Sequence, residues 1–183
     1  MRLPIGDSVT SALISTASTG SDLTVRPSAS VVILAWNAWP VTKDCLDALR
    51  STVAVGDEVI VVDNGSADET PALLASMPWV KTFTNPDNRG FAGGNNDGAQ
   101  HASGDILVFL NNDTVPVGRW LDRLLVPFND PDVVATGPRS NFVSGPQMVD
   151  DTDYMSDRLA GLKGFVHRWE AEHNHQWEPL PRL

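Results

Sequence analysis

The sequence has few basic residues and almost no cysteine. Thirteen Lys and Arg stand against 23 Asp and Glu, a net charge of −10, and a chain of that sign is a poor non-specific partner for nucleic acid or an anionic membrane. An anionic ligand therefore needs a local device, such as a metal ion or a helix amino end. Cys45 is the single cysteine. No intrachain disulfide can form, and a reducing location is expected, cytoplasmic or peripheral at the inner face of the membrane. No apolar run approaches the ~20 residues of a membrane span, and Ser8, Thr10, Ser11, Ser15 and Thr16 interrupt the apolar centre a signal peptide needs. Phosphate-binding signatures are missing as well. The first apolar run leads into Trp36-Asn37-Ala38-Trp39 and not a Gly-x-Gly-x-x-Gly turn, which disfavours a dinucleotide fold, and the absence of Gly-Lys-Ser or Gly-Lys-Thr removes the P-loop reading.

What is present is an alternation. At 183 residues the chain can bury one substantial core. Residues 1–29 are rich in Ser and Thr without sustained periodicity, and read as a flexible arm. Ser30 to Trp36 is apolar almost throughout and predicts a central strand. After Pro40, the residues Val41, Cys45, Leu46, Leu49 and Val53 recur at helical spacing and predict one buried stripe, in which Cys45 is a core residue. Glu58 to Asp63 predicts a second strand. Ser66 and Glu69 have the spacing of a capping box for a helix buried through Leu73, Leu74 and Met77. Trp79 to Thr84 is a shorter strand nearer an edge. A helix is expected from about Ala92 to Ala102, although Gly93, Gly94 and Gly98 each cost about 1 kcal/mol there relative to Ala. That cost implies close approach by another backbone or a ligand.

Five apolar residues, Ile106 to Leu110, predict a strand covered on both faces, which ends at Asn111-Asn112-Asp113. Pro116 is expected to open a helix with Trp120, Leu121, Leu124, Leu125 and Phe128 inward. Asp132 to Thr136 reads as a short strand, and 137–147 as a polar loop. From Asp153 to about Trp177 the pattern is a polar helix broken at Gly161 and Gly164. Strand and helix alternate from 30 to 136, the signature of an α/β domain with a mostly parallel sheet. In such a sheet ligands bind beyond the carboxyl ends of the strands, so Asp63 and Asp113, each ending a strand, are expected to flank one crevice.

Four segments together carry a resemblance: Val32-Ile-Leu-Ala-Trp-Asn37, Val61-Val-Asp-Asn-Gly-Ser-Ala-Asp-Glu-Thr70, Asn88-Arg-Gly-Phe-Ala-Gly-Gly-Asn-Asn96 and Leu110-Asn-Asn-Asp-Thr114. In order and spacing the chain resembles the family 2 glycosyltransferases, most nearly the bacterial rhamnosyl- and galactofuranosyl-transferase-like branch. The resemblance implies a GT-A type α/β/α sandwich over residues 30–147, followed by a partly helical segment, 148–183. It also implies a divalent cation, Mg2+ or Mn2+, bound by Asp113. Ala35, Trp36 and Asn37 then line the nucleotide pocket, and Asp63 accepts hydrogen bonds from the base or ribose with Asn64 and Ser66 beside it. Asn88, Gly90, Gly93 and Asn95 border the ribose and sugar diphosphate. Asn111, Asn112 and Asp113 occupy the place of the family's Asp-x-Asp motif, with the neutral Asn111 at its first position.

The implied donor is a UDP- or dTDP-sugar, the acceptor a glycan or lipid-linked saccharide, and the reaction an inverting transfer. The family's catalytic-base segment has no counterpart before Leu183, so an acceptor half is expected to be missing. Asp150, Asp151 and Asp153 read as solvated loop acids. An incomplete sheet edge then invites self-association. His167, His173 and His175 lie near Glu170 and Glu172, but their spacing matches no common zinc pattern. Two other functions remain: a sugar-nucleotide-binding module without turnover, and a sugar-phosphate nucleotidyltransferase, which wants a basic, Gly-rich turn where Trp36 to Pro40 stands.

Overall fold

A computed structural model describes residues 26–141, 147–149, 152–153, 161–173 and 177. Its elements alternate as the sequence predicts: β1 (Ala29–Ala35), α1 (Trp39–Arg50), β2 (Glu58–Asp63), α2 (Thr70–Ala75), β3 (Lys81–Thr84), α3 (Gly90–Gln100), β4 (Ile106–Asn111), α4 (Trp120–Leu125) and α5 (Leu162–His173), with a 3-10 turn over Val126–Asn129. The four strands are parallel and ordered β3-β2-β1-β4. The expected α/β class with a parallel central sheet is the observed one.

The strand order dictates the layers. From β1 the chain steps through β2 to β3, then returns to the far side of β1 for β4, so right-handed crossovers place α1 and α2 on one face and α3 on the other. Ala29, Val31, Ile33 and Ala35 of β1 pack with Cys45, Leu46 and Leu49 of α1, Leu74 of α2, and Leu121 and Leu125 of α4. On the opposite face α3 lies over β1 and β2. Its glycines permit this closeness: a Cβ on Gly94 would come 2.2 Å from Leu34 Cδ1, and one on Gly98 would come 2.4 Å from Val32 Cγ1.

Several expectations are corrected. The apolar run of β4 is an edge strand and not the central one, with Ile106, Val108 and Leu110 packed on the core while Leu107 and Phe109 are 44% and 52% exposed. Helix α3 covers β1 and β2 and stops short of Leu107 and Phe109. In α1 it is Thr42 that is buried, while Val41 is exposed. The capping box does not form. Helix α2 starts at Thr70 with no side-chain cap, and the Ser66 hydroxyl bonds elsewhere. Helix α4 starts at Trp120 and not near Pro116, no strand forms over 132–136, and Gly164 lies within α5.

Residues 26–29, at the end of the expected arm, are held in place. Arg26 pairs with Asp57 and Asp122, each at 2.6 Å, and Ser28 bonds to Asp105. Residues 1–25 lie outside the described part, as do Asp150, Asp151, Tyr154, Leu159 and His175. No helix among the described residues is long and apolar enough to cross a membrane.

Candidate functional site

The strand order selects one crevice. Because β1 leads towards β2 on one side and accepts β4 on the other, the connections diverge between β1 and β4, and a gap opens above their carboxyl ends. A cavity of about 320 Å³ lies there. Leu34 and Trp36 from the end of β1, Phe91 and Asn95 from α3, and Phe109 to Asp113 from the end of β4 line it. Trp36 is 54% exposed and Phe91 is 67% exposed. Asn95 is buried, with Nδ2 donating to Phe91 O at 2.9 Å.

Of the expected site residues, Trp36, Asn95, Asn111, Asn112 and Asp113 meet at this cavity. The others form a hydrogen-bonded scaffold beside it. Asn37 N donates to Ser66 Oγ at 2.7 Å, and Asn37 Oδ1 accepts from Ala67 N at 2.8 Å. These bonds fasten the β1–α1 turn to the β2–α2 turn. They hold Asn37 and Ala38 at φ of 56° and 54°, a left-handed conformation costing non-glycine residues of order 1–3 kcal/mol each. Ala35, in the strand, accepts from Asn64 N at 2.8 Å.

Asn64 uses its whole amide. Its Nδ2 donates to Asn88 Oδ1 at 2.8 Å and Gly90 O at 3.3 Å, while its Oδ1 accepts from Asn85 Nδ2 and Arg89 N, both at 3.1 Å. Asn88 Oδ1 also accepts from Gly90 N, whose φ of 72° starts α3. Gly93 stands one turn further on, in α3.

Asp63 is fully buried and does not line the cavity. Its Oδ1 accepts from Ser66 N at 3.1 Å, and its buried Oδ2 has no partner among the described residues. Asp113 is the opposite case: it is exposed on the cavity wall, and no described residue bonds to its carboxylate. The single crevice expected for both acids thus holds Asp113, with Asp63 behind the Ser66 turn.

Sequence reading missed the apolar walls, Leu34, Phe91 and Phe109. Phe91, the one large apolar residue in a small and polar helix, was the available signal. It also missed Thr42, whose hydroxyl accepts from Asn112 Nδ2 at 2.9 Å.

One carboxylate beside two side-chain amides offers hard oxygen donors, and the open cavity leaves room for a diphosphate and water to complete a shell. That set fits Mg2+ or Mn2+. The histidines of α5 make no comparable set. His173 stacks on Trp169 with ring centroids 3.8 Å apart, and no group of three or more His, Cys, Asp or Glu among the described residues is placed to hold a metal.

The profile described as glycosyl transferase family 2 matches residues 30–176. The chain belongs to that family. Among relatives of this family 2 domain, a glycosyltransferase from Haloferax volcanii, AglE, is 32% identical over 103 residues, covering 53% of this chain and 34% of the relative. The O-antigen chain rhamnosyltransferase RfbN of Salmonella typhimurium is 28% identical over 110 residues, covering 58% and 35%. The O-antigen biosynthesis protein RfbC of Myxococcus xanthus is 40% identical over 117 residues, covering 60% of this chain and 8% of that protein. The family 2 domain therefore spans about a third or less of these relatives. Among solved structures, a mannosyltransferase from Pyrobaculum calidifontis in complex with GDP-Man and Mn2+ is 27% identical, covers 60% of this chain and 34% of its own, and superposes with a TM-score of 0.49.

Proposed function

We propose that this family 2 domain holds the nucleotide-diphospho-sugar donor of an inverting glycosyltransferase in the cleft between β1 and β4. One observation carries the reading: Asp113, unpaired within the described chain, stands with Asn111 and Asn112 at the carboxyl end of β4, facing the same cavity as Trp36. The exposed Trp36 face is a stacking surface for a base. Ala35 and Asn37 shape the turn around it. Asp63, fully buried behind the Ser66 turn, reaches the base or ribose only once that turn moves aside, with Asn64 and Ser66 beside it, and Asn88, Gly90, Gly93 and Asn95 border the ribose and diphosphate. One buried oxygen of Asp63 has no partner among the described residues, which supports that role, because a carboxylate oxygen without a partner is a costly feature that a ligand donor relieves.

Asp113, with the amide oxygens beside it, would hold Mg2+ or Mn2+. A divalent cation bound there supplies positive charge against the leaving diphosphate. In the transfer, the acceptor hydroxyl oxygen bonds to the anomeric carbon as the bond to the diphosphate breaks, and the nucleoside diphosphate leaves with the electron pair. The hydroxyl proton needs a base within hydrogen-bond reach. Asp113 is the one carboxylate lining the described cleft.

The donor is proposed to be a UDP- or dTDP-sugar. The acceptor is proposed to be a surface polysaccharide or lipid-linked glycan, a class supported by the O-antigen proteins among the relatives. Among the described residues Asp113 alone supplies a carboxylate to the cleft, which supports a second reading, a donor-binding unit that does not turn over by itself.

Calorimetry with UDP, dTDP and GDP, with and without Mn2+, tests the site. Metal-dependent binding of UDP or dTDP supports it, and no metal-dependent binding of any of the three overturns it. Release of free diphosphate from the matching sugar nucleotide then separates transferase from binding unit.

A further inference from the structure

Nothing in the described chain grips the Asp113 carboxylate, so its direction is set by the turn that carries it. Thr114 N donates to Asn111 O at 3.2 Å and closes that turn. Two α1 side chains hold it from the core side. Thr42 Oγ1 accepts from Asn112 Nδ2 at 2.9 Å, and Cys45 Sγ lies 3.8 Å from Asn111 O, which its thiol hydrogen reaches as a weak bond. Both residues are fully buried, and their spacing places them on one helix face.

A threonine here needs a reason. It is a weaker helix former than alanine or leucine, and its hydroxyl costs free energy to bury without a bond. The reason on view is the Asn112 amide, which the hydroxyl holds in one orientation at the foot of the cleft.

We propose that Thr42 is a positioning residue for Asp113: by fixing Asn112 it sets the direction in which the Asp113 carboxylate meets the donor diphosphate and its cation. The proposal rests on the functional reading above. It goes further in assigning a role to a residue that touches neither substrate nor metal.

The test uses the full chain with Mn2+ and whichever of UDP, dTDP or GDP binds the wild-type protein. Thr42→Val keeps shape and packing but removes the hydroxyl, and Thr42→Ser keeps the hydroxyl. Loss of a group that orients a metal ligand weakens metal binding by about tenfold, so the Mn2+ dissociation constant of Thr42→Val, read by electron paramagnetic resonance at saturating nucleotide, is expected to rise by about that factor. Thr42→Ser is expected to restore it, with binding of the bare nucleoside unchanged in both. Wild-type Mn2+ affinity in Thr42→Val, or a loss that serine does not restore, overturns the proposal. Asn112→Ala breaks the same bond from its other side, and wild-type Mn2+ affinity in that variant overturns the proposal even where the valine variant fails to fold. Wild-type protein that shows no Mn2+-dependent nucleotide binding overturns the functional reading itself.

Discussion

Asn64 shows how a polar residue at a strand end serves a site without facing it. It is almost wholly buried, and its amide meets four groups contributed by Asn85, Asn88, Arg89 and Gly90. Replacing it with aspartate keeps the shape but sets a carboxylate oxygen against two carbonyl acceptors. Asn64→Asp is expected to lose roughly 2–4 kcal/mol of unfolding free energy, since a buried group facing the wrong partner carries its full desolvation cost. Urea unfolding measures this, and a stability equal to wild type would show that the amide is not the clamp. The motif around Asn64 was legible in the sequence, whereas its partners were not. They come from a loop more than twenty residues on, and only the fold brings them back.

Helix α3 is the element whose sequence makes least sense in isolation. Its glycines lower helix propensity, and the close contact of Gly98 with Val32 and Val62 explains one of them. Alanine at 98 gains about 1 kcal/mol of propensity, but its methyl would lie 2.4 Å from Val32 Cγ1 and 3.0 Å from Val62 Cγ2. Both are β-branched residues with little freedom to move aside. Overpacking of this kind costs typically 1–3 kcal/mol, so Gly98→Ala is expected to be less stable by about 1 kcal/mol. A melting temperature at or above wild type would show that α3 can lift off the sheet without loss. Strand β4 gives the complementary lesson. A continuous apolar run identifies a strand but cannot report whether a helix covers its second face, and here α3 ends its coverage at β1.

Across the whole molecule two features govern behaviour in solution. At the amino end of the sheet, burial opposes the charge on Glu58, but Lys81, Ser30 and Ser103 outweigh it and bring its pKa down to about 2. Nearby, burial likewise opposes the charge on Asp57, yet Arg26 and the Ala29 and Ala54 amides hold it below the ordinary carboxylate value. A carboxylate depressed in the folded state contributes stability that is present above its ordinary pKa and lost as pH falls through the folded one. Stability is therefore expected to fall from the ordinary 4.5 of Glu58 towards about 2. Thermal melts across that range check this, and Glu58→Gln is expected to flatten the acid limb. At the other side of the sheet, no described strand pairs with the outer edge of β4, which carries Leu107 and Phe109 with no charge between Ile106 and Asn111. Such an edge favours pairing with a second copy. Light scattering at high concentration is expected to give a mass above the monomer, and Phe109→Lys to reduce it. A monomer throughout refutes this.

The order of strands and helices from β1 to β4, the parallel class and the placing of Asp113 at a strand end were determined by the chain alone. Apolar runs of five to seven residues between helical stripes admit few other arrangements, and the acid that follows such a run must lie at its carboxyl end. Which strands are neighbours was decided by tertiary structure. Strand order rests on crossover and packing between residues far apart in sequence, and it puts β4 at the edge, opens the cleft between β1 and β4, seals Asp63 behind the Ser66 turn and sets Thr42 beneath Asn112.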